Sequence, residues 1–421
     1  MSGKESVDNQ YIGSCDDKTL DVVNPYSHAV VGGTASATSA DCLTAIDAAH
    51  AAFKTWEHSL LQQREDVLVK AAGILSLNSM KEETATPIDR SFSQSFIGDS
   101  SKLGDLLGDE KTASDRVPGV EVVIQRRAMG VMQVVFVFLF GIALWNASIV
   151  LILRAIAVPI LCENTVVLKS SELSPQSQFI VAELLQEAGL PAGFLNLISI
   201  SREDSPTLSA EIIAHPSVRR INFTGSDRVG RIIASEAAKY LKPCVFELGG
   251  TAPAIVNSAA KGIVSGALLY PGQVCMSSSQ VLVQQGVSDN LICELCKSLK
   301  AGDPYTDPTA TLSTLFSQSS AENILGIFHE AIGEGAKVLI GDITRDGSVI
   351  QPHVFTDERE AFGPELSITA VDTIDEAVEL ANMSDYTLTS SLWTSDLGSA
   401  EKLVPRIRAG KSNAILYLDV S

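Results

Sequence analysis

Positive charge is scarce in this chain. Its 421 residues carry 31 lysines and arginines against 50 aspartates and glutamates, a formal net charge of −19. That balance repels polyanions and excludes nucleic acid and anionic membrane surfaces as ligands. A disulfide framework is missing too. The seven cysteines are odd in number and scattered from Cys15 to Cys296, the pattern of a reducing compartment, so a cytoplasmic location is expected. Cys293-x-x-Cys296 has neither a second such pair nor a nearby histidine, and its neighbours carry apolar residues at helical spacing. It is expected to pack in a core, and no metal site is expected. No basic stretch precedes an apolar core at the N-terminus, so no secretory signal is read there. The pattern GxGxxG is absent as well, which removes the ordinary Rossmann fingerprint.

The chain is 45% hydrophobic and longer than one core usually supports, so two domains are expected. One run, Val131 to Leu153, has only Gln133, Asn146 and Ser148 as clearly polar residues and is long enough to span a bilayer. Its β-branched and aromatic start, Val134 to Phe140, reads instead as a buried strand that leads through a loop into a core helix. A membrane anchor through 131–153 is kept as an alternative. Before it, Ile46, Ala49 and Phe53 form one stripe of a helix capped by Ser39 or Asp41, and a second helix runs from Arg64 to Leu75. A strand pair is expected near 117–135, and 80–115 shows no clear period.

The chemistry is concentrated in Pro271-Gly272-Gln273-Val274-Cys275-Met276-Ser277-Ser278 and in Phe246-Glu247-Leu248-Gly249-Gly250, whose glutamate lies 28 positions before the cysteine. A glycine-opened turn presents one thiol with backbone N–H groups beside it. A nucleophilic thiol that attacks a carbonyl also needs a group to activate water later, and a carboxylate in a glycine-flanked loop suits that role. Further upstream, a buried strand Thr165–Leu168 ends in Lys169 with Glu172 three residues on, a strand–helix junction of the kind that binds nucleotides in α/β sheets. Phe223-Thr224-Gly225-Ser226, followed by Gly230, gives a strand, a glycine turn and a helix start suited to an anion.

Glu-Leu-Gly-Gly followed by Gly-Gln-x-Cys resembles the signature pair of the aldehyde dehydrogenase superfamily, and the match recurs over about 18–78 and 115–412. The resemblance implies an α/β fold with a nucleotide-binding domain, 1–248, and a catalytic α/β domain, 249–421. It implies NAD-dependent oxidation of a small-molecule aldehyde to the acid, with Cys275 as nucleophile, Glu247 as the base that activates water, and Asn146 of Trp145-Asn146 as an oxyanion donor. It places Lys169 and Glu172 on the adenosine ribose, where a carboxylate would repel a 2′-phosphate and favour NAD over NADP. Gly225, Ser226 and Gly230 would hold the pyrophosphate, and Glu360 and Phe362 of Glu-x-Phe-Gly-Pro would hold the nicotinamide end. Arg154-Ala-Ile-Ala and Cys275-Met276-Ser277 lean towards the salicylaldehyde and vanillin dehydrogenase-like branch, hence aromatic aldehydes.

The chain also departs from the family pattern. Leu144 replaces a loop proline, Tyr270-Pro271 stands where an asparagine precedes Gly-Gln, and Glu365 replaces a small apolar residue. The stretches between Gly250 and Gly272 and around Gln351–Glu358 are shorter, and the family's final oligomerisation strand is expected to be missing. The family forms homo-oligomers. These departures leave a second expectation open, a catalytically impaired member that retains the fold and cofactor binding.

Overall fold

The structure is a computed structural model. It describes the chain apart from residues 1–4, 9, 77–96, 98, 101, 104–109, 114–120, 125–137, 143–144, 257–271, 285–311, 357–361, 385–386, 395 and 417–421. Leu144, Tyr270, Cys293, Cys296 and Glu360 therefore lie outside the described residues. The chain divides into two units, one of Met1–Val23 with Val30–Glu247, the other of Asn24–Ala29 with Leu248–Ser421.

The first unit is built on a seven-stranded sheet ordered Cys244–Glu247, Val218–Thr224, Phe138–Ile142, Thr165–Ser170, Leu195–Ser199, Glu5–Val7, Gln10–Ile12. The first five strands run parallel. Numbered by their place in the chain from Phe138 onward, these five read 3-2-1-4-5 across the sheet with Leu195–Ser199 at one end, so the order reverses beside Phe138–Ile142. At such a switch point the connections leave in opposite directions and open a crevice at the carboxyl ends of the strands. Asn146 follows one of those ends and Gly225-Ser226 the other. Parallel strands covered on both faces carry continuous apolar residues rather than alternating ones. Thr165–Ser170 and Leu195–Ser199 are buried at every position.

The apolar run resolves in the same terms. Its described part is the strand Phe138–Ile142 and the helix Ser148–Leu161, and Ile149, Ile152, Leu153 and Ile156 of that helix are buried in the core with Trp56, Leu68, Leu168 and Phe194. Among the described residues, no helix is long and apolar enough to cross a membrane. The hydrophobicity of Phe140, Ile149, Ile152, Leu153 and Ile156 is accounted for by packing.

The helix Ser39–Trp56 buries the expected stripe, Ile46, Ala49 and Phe53, but its cap is Thr38, not Ser39 or Asp41. Thr38 Oγ1 accepts from Asp41 N–H while the Asp41 carboxylate accepts from Thr38 N–H at 2.7 Å. This reciprocal box leaves Asp41 inside the first turn. Of the strand pair expected near 117–135, the described part is Glu121–Ile124, which pairs antiparallel with Glu110–Ala113; 117–120 and 125–135 lie outside the described residues.

The second unit holds another seven-stranded sheet, ordered Val338–Ile340, His353–Phe355, Glu365–Val371, Gln280–Gln284, Ala254–Val256, Thr389–Thr394, Lys411–Leu416. Only its first pair is antiparallel. Within it His353 is fully buried between Phe328 and Phe355. The neutral ring serves two backbone groups, with Nδ1 2.7 Å from the Gln351 carbonyl and Nε2 accepting the Ile343 N–H at 2.9 Å. Burial pushes its pKa below the ordinary histidine value. The unfolded chain therefore takes up a proton that the folded one refuses. Stability is present above about pH 6.5 and is lost as pH falls from there towards the depressed folded value. The loss comes to about 1.4 kcal/mol for each pH unit that separates the folded and unfolded pKa. Melting temperatures from pH 8 to 5 should fall more steeply for the parent than for His353→Gln, which carries no titrating ring. Equal slopes would show that His353 does not contribute.

Candidate active site

In parallel neighbours, the loops that enter two adjacent strands lie at the same edge of the sheet. Gln280–Gln284 and Glu365–Val371 are such neighbours, with Gln280 opposite Ser367. The loops that enter them are the cysteine loop and the Phe362-Gly363-Pro364 loop. They meet closely. Gly272 has φ +70°, a conformation that other L-residues resist, and a Cβ there would lie 1.7 Å from the Gly363 carbonyl oxygen. Glycine is thus required twice over, by the backbone conformation and by the contact.

The next residue fixes the loop from its other side. Gln273 is 1% exposed, and its amide donates to the Thr314 carbonyl at 3.3 Å while accepting the Phe316 N–H at 3.1 Å. Val274 then accepts the Ser277 N–H at 2.8 Å, which closes a turn with Cys275 and Met276 at its two corner positions. The thiol sits on that corner, half-buried. Phe362 borders the same pocket as Gly272, Val274, Ser277 and Ser279. Its φ of +54° is strained for a residue with a side chain. Glu365, 3% exposed, accounts for one departure from the family pattern: its carboxylate accepts the Gly363 N–H at 3.1 Å and so ties the Phe362 loop to its own strand.

The first unit carries the other expected residues. Asn146, 4% exposed, sits on the bend between Phe138–Ile142 and the helix Ser148–Leu161. Lys169 and Glu172 are brought together at the end of Thr165–Ser170, with Nζ 3.3 Å from Oε2. Lys169 is buried and also donates to the Ser170 carbonyl. Gly225 lies over the Phe223 ring, which a Cβ would meet at 2.3 Å. Ser226 caps the helix Asp227–Ala238 by accepting the Val229 N–H at 3.4 Å, and its carbonyl accepts from Gly230, buried within that helix. A bare glycine turn feeding a helix N-terminus is a cradle for phosphate oxygens. Among the described residues there is no group of three or more His, Cys, Asp and Glu that could hold a metal.

Glu247 ends the strand Cys244–Glu247 opposite Thr224, and its backbone carbonyl accepts the Gly225 N–H at 3.0 Å. Its carboxylate Oε1 makes an ion pair with Arg154 Nη2. Arg154 Nη1 is 3.4 Å from Thr224 Oγ1. Sequence reasoning missed this contact. The signal available to find it was that Arg154 is the lone charged residue of an otherwise apolar helix and so needs a counter-ion.

The model of the aldehyde dehydrogenase family matches residues 11–415. Salicylaldehyde dehydrogenase of Pseudomonas sp. strain C18 is 34% identical, over 97% of this chain and 89% of that protein. Vanillin dehydrogenase of Pseudomonas sp. strain HR199 is 35% identical, over 94% of this chain and 85% of that protein. The crystal structure of a salicylaldehyde dehydrogenase from Pseudomonas putida G7 complexed with salicylaldehyde superposes with a TM-score of 0.90 at 32% identity, covering 98% of this chain and 90% of that one. Agreement of this extent in sequence and fold, on top of the motifs themselves, means that the chain belongs to the aldehyde dehydrogenase family and is an aldehyde dehydrogenase.

Proposed function

We propose that this enzyme oxidises an aromatic aldehyde to its carboxylic acid with NAD, through a thioester on Cys275. The observation that carries the reading is the glycine turn pinned between Gly363 and the Gln273 amide, which holds Cys275 on a corner between Val274 and Ser277, two residues that border one pocket with Phe362. The relatives named for salicylaldehyde and vanillin support an aromatic substrate.

In this reading the Cys275 sulfur adds to the carbonyl carbon and the oxygen becomes an oxyanion. The Asn146 amide and the Cys275 backbone N–H are its donors, and a preorganised donor of this kind is worth about 3 kcal/mol. Lys169 and Glu172 would hold the adenosine ribose. Gly225, Ser226 and Gly230 would hold the pyrophosphate, and Phe362, with Glu360, the nicotinamide end. When bound, the cofactor would accept the hydride, and the oxyanion electron pair re-forms C=O to leave the thioester on Cys275. Glu247 then takes a proton from water as the water oxygen attacks the thioester carbonyl, the C–S bond breaks, and the acid leaves with Cys275 regenerated.

The test is NADH or NADPH formation with salicylaldehyde, benzaldehyde and lactaldehyde. Because Glu172 repels a 2′-phosphate, kcat/KM should favour NAD over NADP by at least ~10-fold, a difference of ~1.4 kcal/mol. Aromatic aldehydes should exceed lactaldehyde by a similar factor. Equal use of both cofactors would remove the role given to Glu172, and a preference for lactaldehyde would remove the aromatic substrate.

A further inference from the structure

We propose that Arg154 is the positioning residue for Glu247, setting the orientation in which its carboxylate acts on water during thioester hydrolysis. This rests on Glu247 being the base. A glutamate at the end of a strand, with its side chain 27% exposed, would otherwise sample several rotamers. The helix Ser148–Leu161 buries nine of its fourteen residues and carries a single charge, Arg154. That charge points to Glu247 rather than along its own helix. The guanidinium fork spans two neighbouring strand ends, with Nη2 on Glu247 Oε1 and Nη1 on Thr224 Oγ1. A planar fork anchored at a second point fixes direction as well as charge. Oε1 is thereby engaged, and Oε2 is the oxygen that takes the proton from water.

The placement also accounts for why an arginine stands at this position. A cation left in an apolar helix without a partner would be costly, so the pair holds both groups in place. Because the helix starts just after Asn146, a single element sets the direction of the oxyanion donor and, through Arg154, of the base.

The experiment uses the full chain with NAD and benzaldehyde in stopped flow, comparing the parent with Glu247→Gln, Arg154→Met, Arg154→Lys and Arg154→Met/Glu247→Gln. Glu247→Gln tests the underlying reading: a burst of NADH followed by a slow steady state supports the base assignment, and a uniform loss with no burst removes it and this proposal with it. If the base assignment holds, Arg154→Met should keep the burst and slow the steady state by ~10- to 100-fold, the scale of a small misplacement. Arg154→Lys should recover part of that loss. The double variant should be no slower than Glu247→Gln alone, because one residue acts through the other. Three results overturn the proposal while leaving Glu247 as base: losses that multiply in the double variant, a rise in the KM for benzaldehyde with an unchanged steady state, or a parent-like rate in Arg154→Met. NAD titration of each variant separates these outcomes from misfolding, since a folded chain retains cofactor binding.

Discussion

Replacing Cys275 with alanine should remove aldehyde-dependent NADH formation by at least ~10⁴-fold while NAD binding stays within about twofold of the parent. The asymmetry follows from the roles proposed for the site. The covalent route disappears with the sulfur, and no other group in the turn can form a thioester. The residues proposed to hold the adenosine and pyrophosphate, Lys169, Glu172 and Ser226, lie in the first unit. A methyl group in place of the thiol leaves the turn intact, because its closing bond joins Val274 and Ser277 and its anchors are Gly272 and Gln273. Iodoacetamide should label Cys275 ahead of Cys42, Cys162 and Cys244, since reactivity follows exposure and thiolate character together. Cys42 is buried, and burial pushes the thiols of Cys162 and Cys244 above their ordinary pKa. Activity that survives Cys275→Ala, or labelling spread evenly over the cysteines, would end the nucleophile assignment.

The second large effect is expected from Gly272→Ala. The new Cβ would lie 1.7 Å from one backbone oxygen and 2.6 Å from the carbonyl carbon bonded to it. Neither atom belongs to a side chain that could rotate away, so the loops must separate. The left-handed backbone adds about 1 kcal/mol of its own. Moving Gly363 drags a chain of partners, because Gly363 N–H is held by Glu365 and a Cβ on Gly363 would itself meet Ile324 at 2.7 Å. Together these should cost ~3 kcal/mol or more, a fall of roughly 10 °C in melting temperature for a unit of this size, with activity lost before the fold. Gly326→Ala is the matched control. Gly326 lies in the helix Gln318–Glu334, its Cβ position meets nothing within 4 Å, and alanine there should be neutral or stabilising. If Gly272→Ala melts and turns over like Gly326→Ala, the contact between the loops is not what holds the cysteine turn.

What could be read from the chain depends on whether the information is local. The stripe Ile46, Ala49 and Phe53 and the buried strand ending in Lys169 follow from periodicity, and both are in the structure as expected. Helix starts were less legible. Thr38, Ser39 and Asp41 can each cap, and only the folded geometry shows Thr38 in that role with Asp41 answering it. The helix that buries Phe179 begins at Pro175, four residues earlier, since proline at the first turn costs nothing there. Long-range electrostatics were not legible at all. Arg154 reads as a mark of one branch, and nothing near it in the chain announces that its counter-ion is Glu247. Glu365 was visible as a departure from the family pattern, but its reason, the Gly363 N–H two residues away, requires the sharp backbone of the loop.

The six residues Asn24–Ala29 belong to the second unit although the chain on both sides of them belongs to the first. They are tied in firmly: Tyr26 Oη accepts the Thr314 N–H at 3.0 Å, 288 positions later, and the Pro25 carbonyl accepts the Ser348 hydroxyl, 323 positions later. On the ribosome, where about 5–20 residues emerge each second, that segment waits tens of seconds for its partners. The second unit therefore cannot finish folding until the chain has been made beyond Ser348, and a gene fragment that starts at Leu248 would produce it without its own first strap.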